Sequence, residues 1–488
     1  MPRWFKRIWE SATLITWASL VLRTATGLVV VPLIVTRLKT PEIAVWYLFS
    51  SVMGLQPLLE LGFTPTFVRA VAYAAGGATK LLPGRNRESG SNQGSQESQE
   101  FLDRICATMR WLYTRLAFAA ITTVALGGTL ALERSIAQTE SPPEAWAAWA
   151  IILVGSFVGF RNLSCSAYLE GSNQISRLGR TQIAGALAGA ILSSGVLLVG
   201  GGLAMLALSY QVCNIAASEW NRLVCRRSRP GGFAVPSPRP DRSFLSTVWP
   251  PTWRSGLGIA MSYGVVQLSA IAYAQLGTPA QVAALLFSLR ILQMLLTACQ
   301  APFSTKIPLL ARLHAQGNTA GLLRVAARGM ALSYWVYVTG TIVVGLTLQP
   351  FLSAIHSHVA FIDTRLWYAI ALAYMVERYG AMHIQLYSLS NDIIWHRANG
   401  IAGGIYLIVL VSAFHALGLY AFPTAVLAGY LGFYSWYSAW HSYRWYHLTF
   451  WRLDGTTALI PGAVLITFVV LSACGWPHSL AGRLHVPV

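Results

Sequence analysis

Charged residues are scarce in this sequence, and acidic residues are scarcer than basic ones. Only 11% of the 488 residues are charged, whereas soluble globular domains contain about 25%. The apolar fraction is 55%, and apolar runs of about 20 residues, long enough to cross a bilayer, recur along nearly the whole chain. These proportions exclude a soluble protein with a large core and predict an all-α polytopic membrane protein.

The sequence also lacks paired cysteines, nucleotide-binding motifs and long loops. The six cysteines show no paired spacing, so we expect neither a disulfide framework nor a zinc site. No loop of the Gly-x-x-x-x-Gly-Lys type occurs, which argues against ATP hydrolysis. The longest loops predicted on the outer side, 133–144 and 351–365, are too short to form a catalytic domain. We therefore expect no enzymatic activity and no cofactor.

Segments of spanning length predict about thirteen membrane helices, within a range of about 12–14. They cover residues 12–35, 43–68, 106–132, 145–168, 181–201, 203–224, 252–274, 280–303, 329–350, 366–387, 399–420, 423–443 and 456–474.

Two short motifs occur twice, which predicts two similarly oriented halves. Thr-Pro stands at 40–41 and again at 278–279, and Ser-Asn at 172–173 and again at 390–391. The offsets are 279 − 41 = 238 and 391 − 173 = 218 residues, so the first half should contain about 20 additional residues. The polar stretch 76–100 fits this insertion, and its composition predicts a flexible, unpacked loop.

The repeat divides the chain into two pseudo-symmetric lobes of six helices each around a central cleft. The predicted lobes cover 1–224 and 245–444, joined by a mobile, basic cytoplasmic linker at 225–244. An extra terminal span with a short tail follows at 445–488. Two like-oriented halves are typical of transporters in which the substrate site lies between them.

The excess of basic residues is predicted to reflect topology. Lys and Arg outnumber Asp and Glu 35 to 17, for a net charge of +18. With the amino terminus in the cytoplasm, most cations fall in cytoplasmic loops, as the positive-inside rule requires. We therefore expect a multi-pass membrane protein that contacts anionic membrane lipids and binds no nucleic acid.

Arginines within spans are candidate substrate-binding residues, because a charge at mid-bilayer is costly and tends to be functional. Arg23 and Arg290 lie near the centres of their spans, and each guanidinium suits a phosphate. The alternative is that a buried carboxylate neutralises them. Arg69, Arg161 and Arg254 lie nearer the cytoplasmic ends, where they either snorkel to headgroups or form a cationic vestibule for an anionic headgroup.

Acidic residues within spans are candidates for coupling or for counter-charges. Glu60 is expected either to pair with Arg23 or to couple transport to H⁺ or Na⁺, and the membrane potential is a further driving force. Glu377 and Arg378 are adjacent on one helix and should point about 100° apart. We therefore expect that they do not pair with each other, and that at least one finds a partner on another helix.

The beginning of the chain resembles a known family. Arg23 in the first span, the run Leu-Lys-Thr-Pro-Glu ending in Trp-Tyr at 38–47, and Leu-Glu-Leu-Gly-Phe at 59–63 are similar to the start of polysaccharide flippases. These are the O-antigen and exopolysaccharide translocases of the multidrug/oligosaccharidyl-lipid/polysaccharide (MOP) superfamily. The motif similarity covers about the first seventy residues. Glu60 stands where the family often has an aspartate.

The resemblance implies a V-shaped, two-lobed bundle that flips an undecaprenyl-diphosphate-linked oligosaccharide from the inner to the outer leaflet by alternating access. The implied location is a bacterial inner membrane. The implied partners are that anionic lipid-linked oligosaccharide and a glycan polymerase or glycosyltransferase. Two alternatives remain open. A cation-coupled multidrug exporter of the same superfamily predicts an acidic cleft, and a membrane glycan polymerase or ligase predicts a long outer loop with paired catalytic residues.

Overall fold

The protein is built from α-helices with short turns between them. The computed structural model describes residues 12–75, 96–229, 233, 242–261, 265–307, 309–310, 313, 318–390 and 394–474, and these contain no β-strand. In chain order the helices are α1 (Ala12–Arg37), α2 (Thr40–Met53), α3 (Gln56–Leu59), α4 (Phe63–Ala75), α5 (Gln96–Ala137), α6 (Pro142–Arg161), α7 (Leu163–Gly171), α8 (Ile175–Leu198), α9 (Leu203–Ser228), α10 (Arg242–Ile259), α11 (Val265–Ala274), α12 (Pro279–Ser304), α13 (Thr319–Ala354), α14 (Thr364–Tyr387), α15 (Trp395–Leu417), α16 (Ala421–Gly429), α17 (Ser435–Tyr446), α18 (Phe450–Thr457) and α19 (Leu459–Ala473).

The predicted class, an all-α polytopic membrane protein, is confirmed. Each of the thirteen predicted segments falls on helical residues, although several are divided by a turn or a bend. Within the described part of the chain, six helical stretches are long and apolar enough to cross a membrane by themselves. The bent pair α18–α19, with 50° between its halves, makes a seventh if it counts as one span. Large apolar side chains such as Leu130, Val411 and Ile408 are more than two-thirds exposed, as expected of a surface that faces lipid.

The chain divides into two compact units, Met1–Ala283 and Ala284–Val488. In the first unit α1 packs against α8, α9 packs against both α6 and α8, and α5 packs against α6. Helices α10 and α11 pack against α2, α4 and α5 of this unit. The predicted lobe boundaries stay a prediction. The core of the first unit is strongly aromatic, since Phe67 contacts the rings of Phe63, Tyr113 and Phe244.

The second predicted span, 43–68, is not one continuous helix. It consists of α2, the single turn α3 and α4. The chain reverses between α3 and α4 at Leu61 and Gly62, which have φ of 55° and 76°. Glycine adopts this left-handed backbone conformation at no steric cost, as at Gly62, whereas at Leu61 the side chain makes it energetically costly. Pro57 and Pro65 flank this break, consistent with the bend expected of prolines within a span.

The second unit contains α13 to α19 and most of α12. Helix α14 lies at its centre, because it packs against α13, α16, α17 and α19. Side chains of α14 are largely buried, including the fully buried Trp367 and Met382. Helices α15 and α16 pack against each other as a hairpin, joined by Gly418 with a positive φ of 53°.

Two loops predicted to be unpacked contain ordered, packed residues. Gln96–Glu100 of the insertion form the first turns of α5, and the Ser98 hydroxyl donates a hydrogen bond to the Ala74 carbonyl at 3.0 Å. At the start of the predicted linker, Cys225 is buried, and Arg229 Nε pairs with Asp103 Oδ1 at 2.6 Å. Those residues are therefore packed, and the mobility of the linker stays a prediction. Residues 76–95, 230–232 and 234–241 lie outside the described part of the chain.

Candidate functional site

Two arginines occupy matching positions in two equally long helices. Arg23 is the twelfth residue of the 26-residue helix α1, and Arg290 is the twelfth residue of the 26-residue helix α12. Both Cα atoms therefore lie near the middle of their helices. The Arg290 side chain is exposed, and no ion pair involving it is found among the described residues. The side chains of Arg23 and Arg254 lie outside what the structure describes.

Glu60 caps a helix at the break in the second span. Its Oε1 accepts a hydrogen bond from the Thr64 backbone N–H at 2.7 Å, which satisfies one of the unpaired donors in the first turn of α4. The Tyr113 hydroxyl on α5 donates to the same oxygen at 3.2 Å and lies 2.6 Å from Thr64 Oγ1. The carboxylate is therefore held by α4 and α5. Pairing of Glu60 with Arg23 stays a prediction.

Arg161 has a carboxylate partner that the sequence analysis did not single out. Its Nη2 lies 3.0 Å from Oε1 of Glu219 on α9, and Asn162 Nδ2 donates to that oxygen at 3.0 Å. Arg222 Nη1 lies 3.1 Å from Oε2. One carboxylate is thus shared by two guanidinium groups, each about 30% exposed. This Arg161–Glu219–Arg222 cluster retains a net positive charge at a partly exposed place.

Arg69 lies on the exposed face of α4. Its Nε donates to the Pro65 carbonyl at 3.2 Å, one turn earlier in the helix. This contact is local, so the guanidinium end remains exposed. Arg69 and Arg161 both belong to the first unit, but the hydrogen bonds and ion pairs of the described residues do not join them.

The expectation that Glu377 and Arg378 would not pair is wrong. Arg378 Nη2 lies 3.1 Å from both Oε1 and Oε2 of Glu377. Arg378 is buried, and its Nη1 lies 4.0 Å from Cys299 Sγ on α12. Adjacent Cα–Cβ bonds do diverge on a helix, but the arginine side chain is long enough to fold back over its neighbour. Burial favours this contact because no water is present to solvate either charge.

The structure adds a polar network that sequence reasoning missed. His383 on α14 and Asp454 on α18 are both fully buried, with Nε2 3.2 Å from Oδ2. Ser442 and Tyr443 on α17 complete the network. The signal was available, since His383 is the one histidine inside the predicted span 366–387. Asp454 lies two residues before the predicted start of the last span at 456, where the sequence gives no sign that it is buried.

No family model matches the sequence, and no curated protein matches it. Solved structures do match its fold. A multidrug resistance MATE family transporter of the MOP superfamily, in its inward-facing conformation, has a TM-score of 0.65 at 14% identity, covering 90% of this chain and 98% of its own. The chain has the fold of the MOP transporters.

Two further solved structures extend this likeness. A MOP superfamily transporter from Pyrococcus furiosus, described as having a binding pocket of reverse polarity, has a TM-score of 0.61 at 14% identity, covering 92% of this chain and 96% of its own. The lipid II flippase MurJ, in an inward closed conformation, has a TM-score of 0.60 at 11% identity, covering 94% of this chain and 98% of its own. The MOP-transporter fold therefore extends over nearly the whole chain.

Proposed function

We propose that this chain is a flippase that moves an undecaprenyl-diphosphate-linked oligosaccharide across a bacterial inner membrane. The substrate would pass from the inner to the outer leaflet by alternating access of two lobes. The fold shared with MOP transporters and with a lipid II flippase supports a translocating role. A cytoplasmic amino terminus follows from the distribution of basic residues.

The observation that supports an anionic substrate is the exposed guanidinium of Arg290 halfway along an apolar helix. A charge that faces hydrocarbon at this depth costs at least about 2.5–3.5 kcal/mol, so its side chain belongs in a hydrated cavity. The planar guanidinium binds phosphate oxygens in bidentate fashion. Arg23, at the matching position of α1, is the corresponding candidate cation of the first unit.

The positively charged Arg161–Glu219–Arg222 cluster supports capture of the same headgroup. Its two guanidinium groups share the carboxylate of Glu219. One carboxylate cannot neutralise both, so a net positive charge remains to attract an anion. Arg69 and Arg254 would extend this cationic surface. The membrane potential then favours outward movement of the bound anion by about 2.3 kcal/mol per charge per 100 mV.

A cation-coupled exporter of small molecules is the second candidate. The half-buried carboxylate of Glu60 favours it, since such a group can bind H⁺ or Na⁺. The shared fold includes a multidrug resistance transporter and so is compatible with both functions.

Lipid extracts of a strain that lacks the protein distinguish the two functions. A flippase predicts that a lipid-diphosphate-linked oligosaccharide accumulates, as detected by mass spectrometry, and that a plasmid copy reverses this. The flippase proposal is overturned if no such lipid accumulates and the strain instead becomes sensitive to cationic drugs. Co-purification with a glycan polymerase or glycosyltransferase would test the proposed partners.

A further inference from the structure

His383 and Asp454 form a carboxylate–imidazole pair that is completely removed from solvent. Both side chains are 0% exposed. His383 Nε2 lies 3.3 Å from Oδ1 and 3.2 Å from Oδ2 of Asp454. The pair joins α14, at the centre of the second unit, to α18, the short helix that precedes the last apolar helix. Ionisable groups buried at such a place are costly and are retained mainly where they have a task.

Hydroxyl groups contact both members of the pair. Ser442 Oγ lies 2.6 Å from His383 Nδ1 and 3.2 Å from the Ala439 carbonyl oxygen, so its hydroxyl either accepts from Nδ1–H or donates to Nδ1. The Tyr443 hydroxyl donates to Asp454 Oδ2, and Tyr379 in turn lies 2.8 Å from the Tyr443 hydroxyl. The hydrogen bonds therefore run from Tyr379 through Tyr443 to the carboxylate.

One further proton makes this arrangement electrically neutral. A neutral imidazole carries one hydrogen, on Nδ1 or on Nε2, so beside an ionised Asp454 the pair has a net negative charge in either tautomer. With one more proton the pair is neutral, either as an ion pair or as a carboxylic acid beside a neutral imidazole. Without it, a net negative charge remains buried, which is unfavourable.

The donor set suits a proton better than a metal ion. Asp454 Oδ2 accepts from Tyr443, and Oδ1 accepts from Thr457 at 3.4 Å. The histidine and carboxylate are already within hydrogen-bond distance of each other, which leaves no space for an ion between them. Within the described part of the chain, no group of three or more His, Cys, Asp or Glu residues could hold a metal.

Most other titratable groups around the pair are phenols or are paired with each other. Helix α13 contributes Tyr334, and α14 contributes Tyr379 together with the mutually paired Glu377 and Arg378. Helix α17 contributes Tyr443 and the half-buried His441, whereas α16 and α19 contain no titratable residue. The arginines on the packed helices α13, α17 and α18 are exposed, namely Arg324, Arg328, Arg444 and Arg452. Among the ion pairs of the described residues, only that of His383 with Asp454 has no exposure to solvent.

We propose that His383 and Asp454 are a proton-binding site of the second unit. One bound proton stabilises the contact between α14 and α18, and its release weakens that contact by leaving a buried net charge. Assigning that proton to the transport cycle rests on the proposed function, but the site itself does not. Glu60, the coupling candidate in the first unit, is only half-buried and already caps a helix.

Hydrogen–deuterium exchange of the purified full-length protein in detergent tests the site without any substrate. Exchange of the peptide that covers Phe450–Thr457 is measured across a pH series and corrected for the intrinsic rate of an unstructured peptide. We expect a step of about tenfold as pH rises, since an unpaired buried charge costs at least that factor in the opening equilibrium. Asp454→Asn should abolish the step, because the amide donates to Nε2 without a titrating proton. His415→Gln, a change of an exposed histidine, should keep it.

Tyr443→Phe is a second variant for the case that Asp454→Asn does not fold. It removes a donor that stabilises the ionised carboxylate, so the step should move to higher pH. A purely structural contact predicts faster exchange at every pH instead. The proposal is overturned if the corrected exchange rate of the natural protein does not change with pH, or if Asp454→Asn shows the same step. It is also overturned if Tyr443→Phe changes the exchange rate equally at every pH. None of these outcomes bears on whether the strain accumulates lipid-linked oligosaccharide.

Discussion

Arg378 Nη2 lies 3.1 Å from each carboxylate oxygen of Glu377, the residue that precedes it in the chain. The two side chains are 6% and 14% exposed, so they form a neutral pair in an apolar environment. Neither of them is therefore a free charge, although both were candidates for coupling. The pair is a local structural unit of α14 that depends on both members.

Glu377→Gln should destabilise the second unit by about 3–5 kcal/mol, because it leaves the Arg378 guanidinium buried without a counter-charge. Thermal unfolding in detergent measures the loss. The double variant Glu377→Gln/Arg378→Met should regain most of it, since replacing both charges removes the desolvation cost. If the double variant is no more stable than the single one, the pair does not act as a unit.

If the chain is the proposed flippase, Arg23→Ala and Arg290→Ala should each abolish export of the glycan while leaving protein level and topology unchanged. The physical reason is that the diphosphate loses a cationic partner at mid-span. Surface glycan is measured in the complemented deletion strain. Arg365→Ala, at an exposed position near the start of α14, is the matched control and should export normally. Normal export by the Arg23 variant would remove Arg23 from the site.

Glu60→Gln separates the structural role of this residue from a coupling role. The amide oxygen of Gln still accepts from Thr64 N–H, so stability should hardly change, whereas Glu60→Ala should cost about 1 kcal/mol. If Glu60 couples transport to protons, export by Glu60→Gln should no longer respond to a collapsed proton gradient. An unaltered response in that variant would refute the coupling role.

Gly256→Ala should destabilise the first unit by about 1–3 kcal/mol through overpacking. A Cβ atom at Gly256 would lie 2.6 Å from the carbonyl oxygen of Leu61, whose backbone cannot move without disturbing the break beside Glu60. Gly159→Ala is the matched control, because a Cβ there meets nothing within 4 Å. The loss of stability of the two variants is compared by thermal unfolding in detergent. Equal losses would show that α10 does not pack tightly against the break.

The class of fold was predictable because the bilayer imposes a simple rule on sequence. A helix must present about 20 apolar residues to cross hydrocarbon, and each predicted segment falls on helical residues. The two Thr-Pro motifs also predicted where helices begin. Pro41 and Pro279 both lie in the first turn of their helices, where proline is tolerated because it has no N–H to leave unpaired.

Breaks within spans were only partly predictable. Pro57 and Pro65 pointed to a bend, but the left-handed backbone at Leu61 carries no clear signal in the sequence. Its conformation is held by neighbours, since α10 packs against this turn through Gly256. The packed start of the predicted linker is a similar case, because Arg229 is ordered by Asp103, which lies 126 residues earlier.

Charged residues could be located by sequence, but their partners could not. Composition and spacing determined the membrane class, the helical segments and the mid-span positions of Arg23 and Arg290, because those depend on local hydrophobicity alone. Only the tertiary structure decided that Glu219 pairs with Arg161, that Arg378 folds back onto Glu377, and that His383 contacts Asp454. Each of these contacts depends on where a long side chain points or on which helices pack together. Hydrophobic periodicity does not encode either.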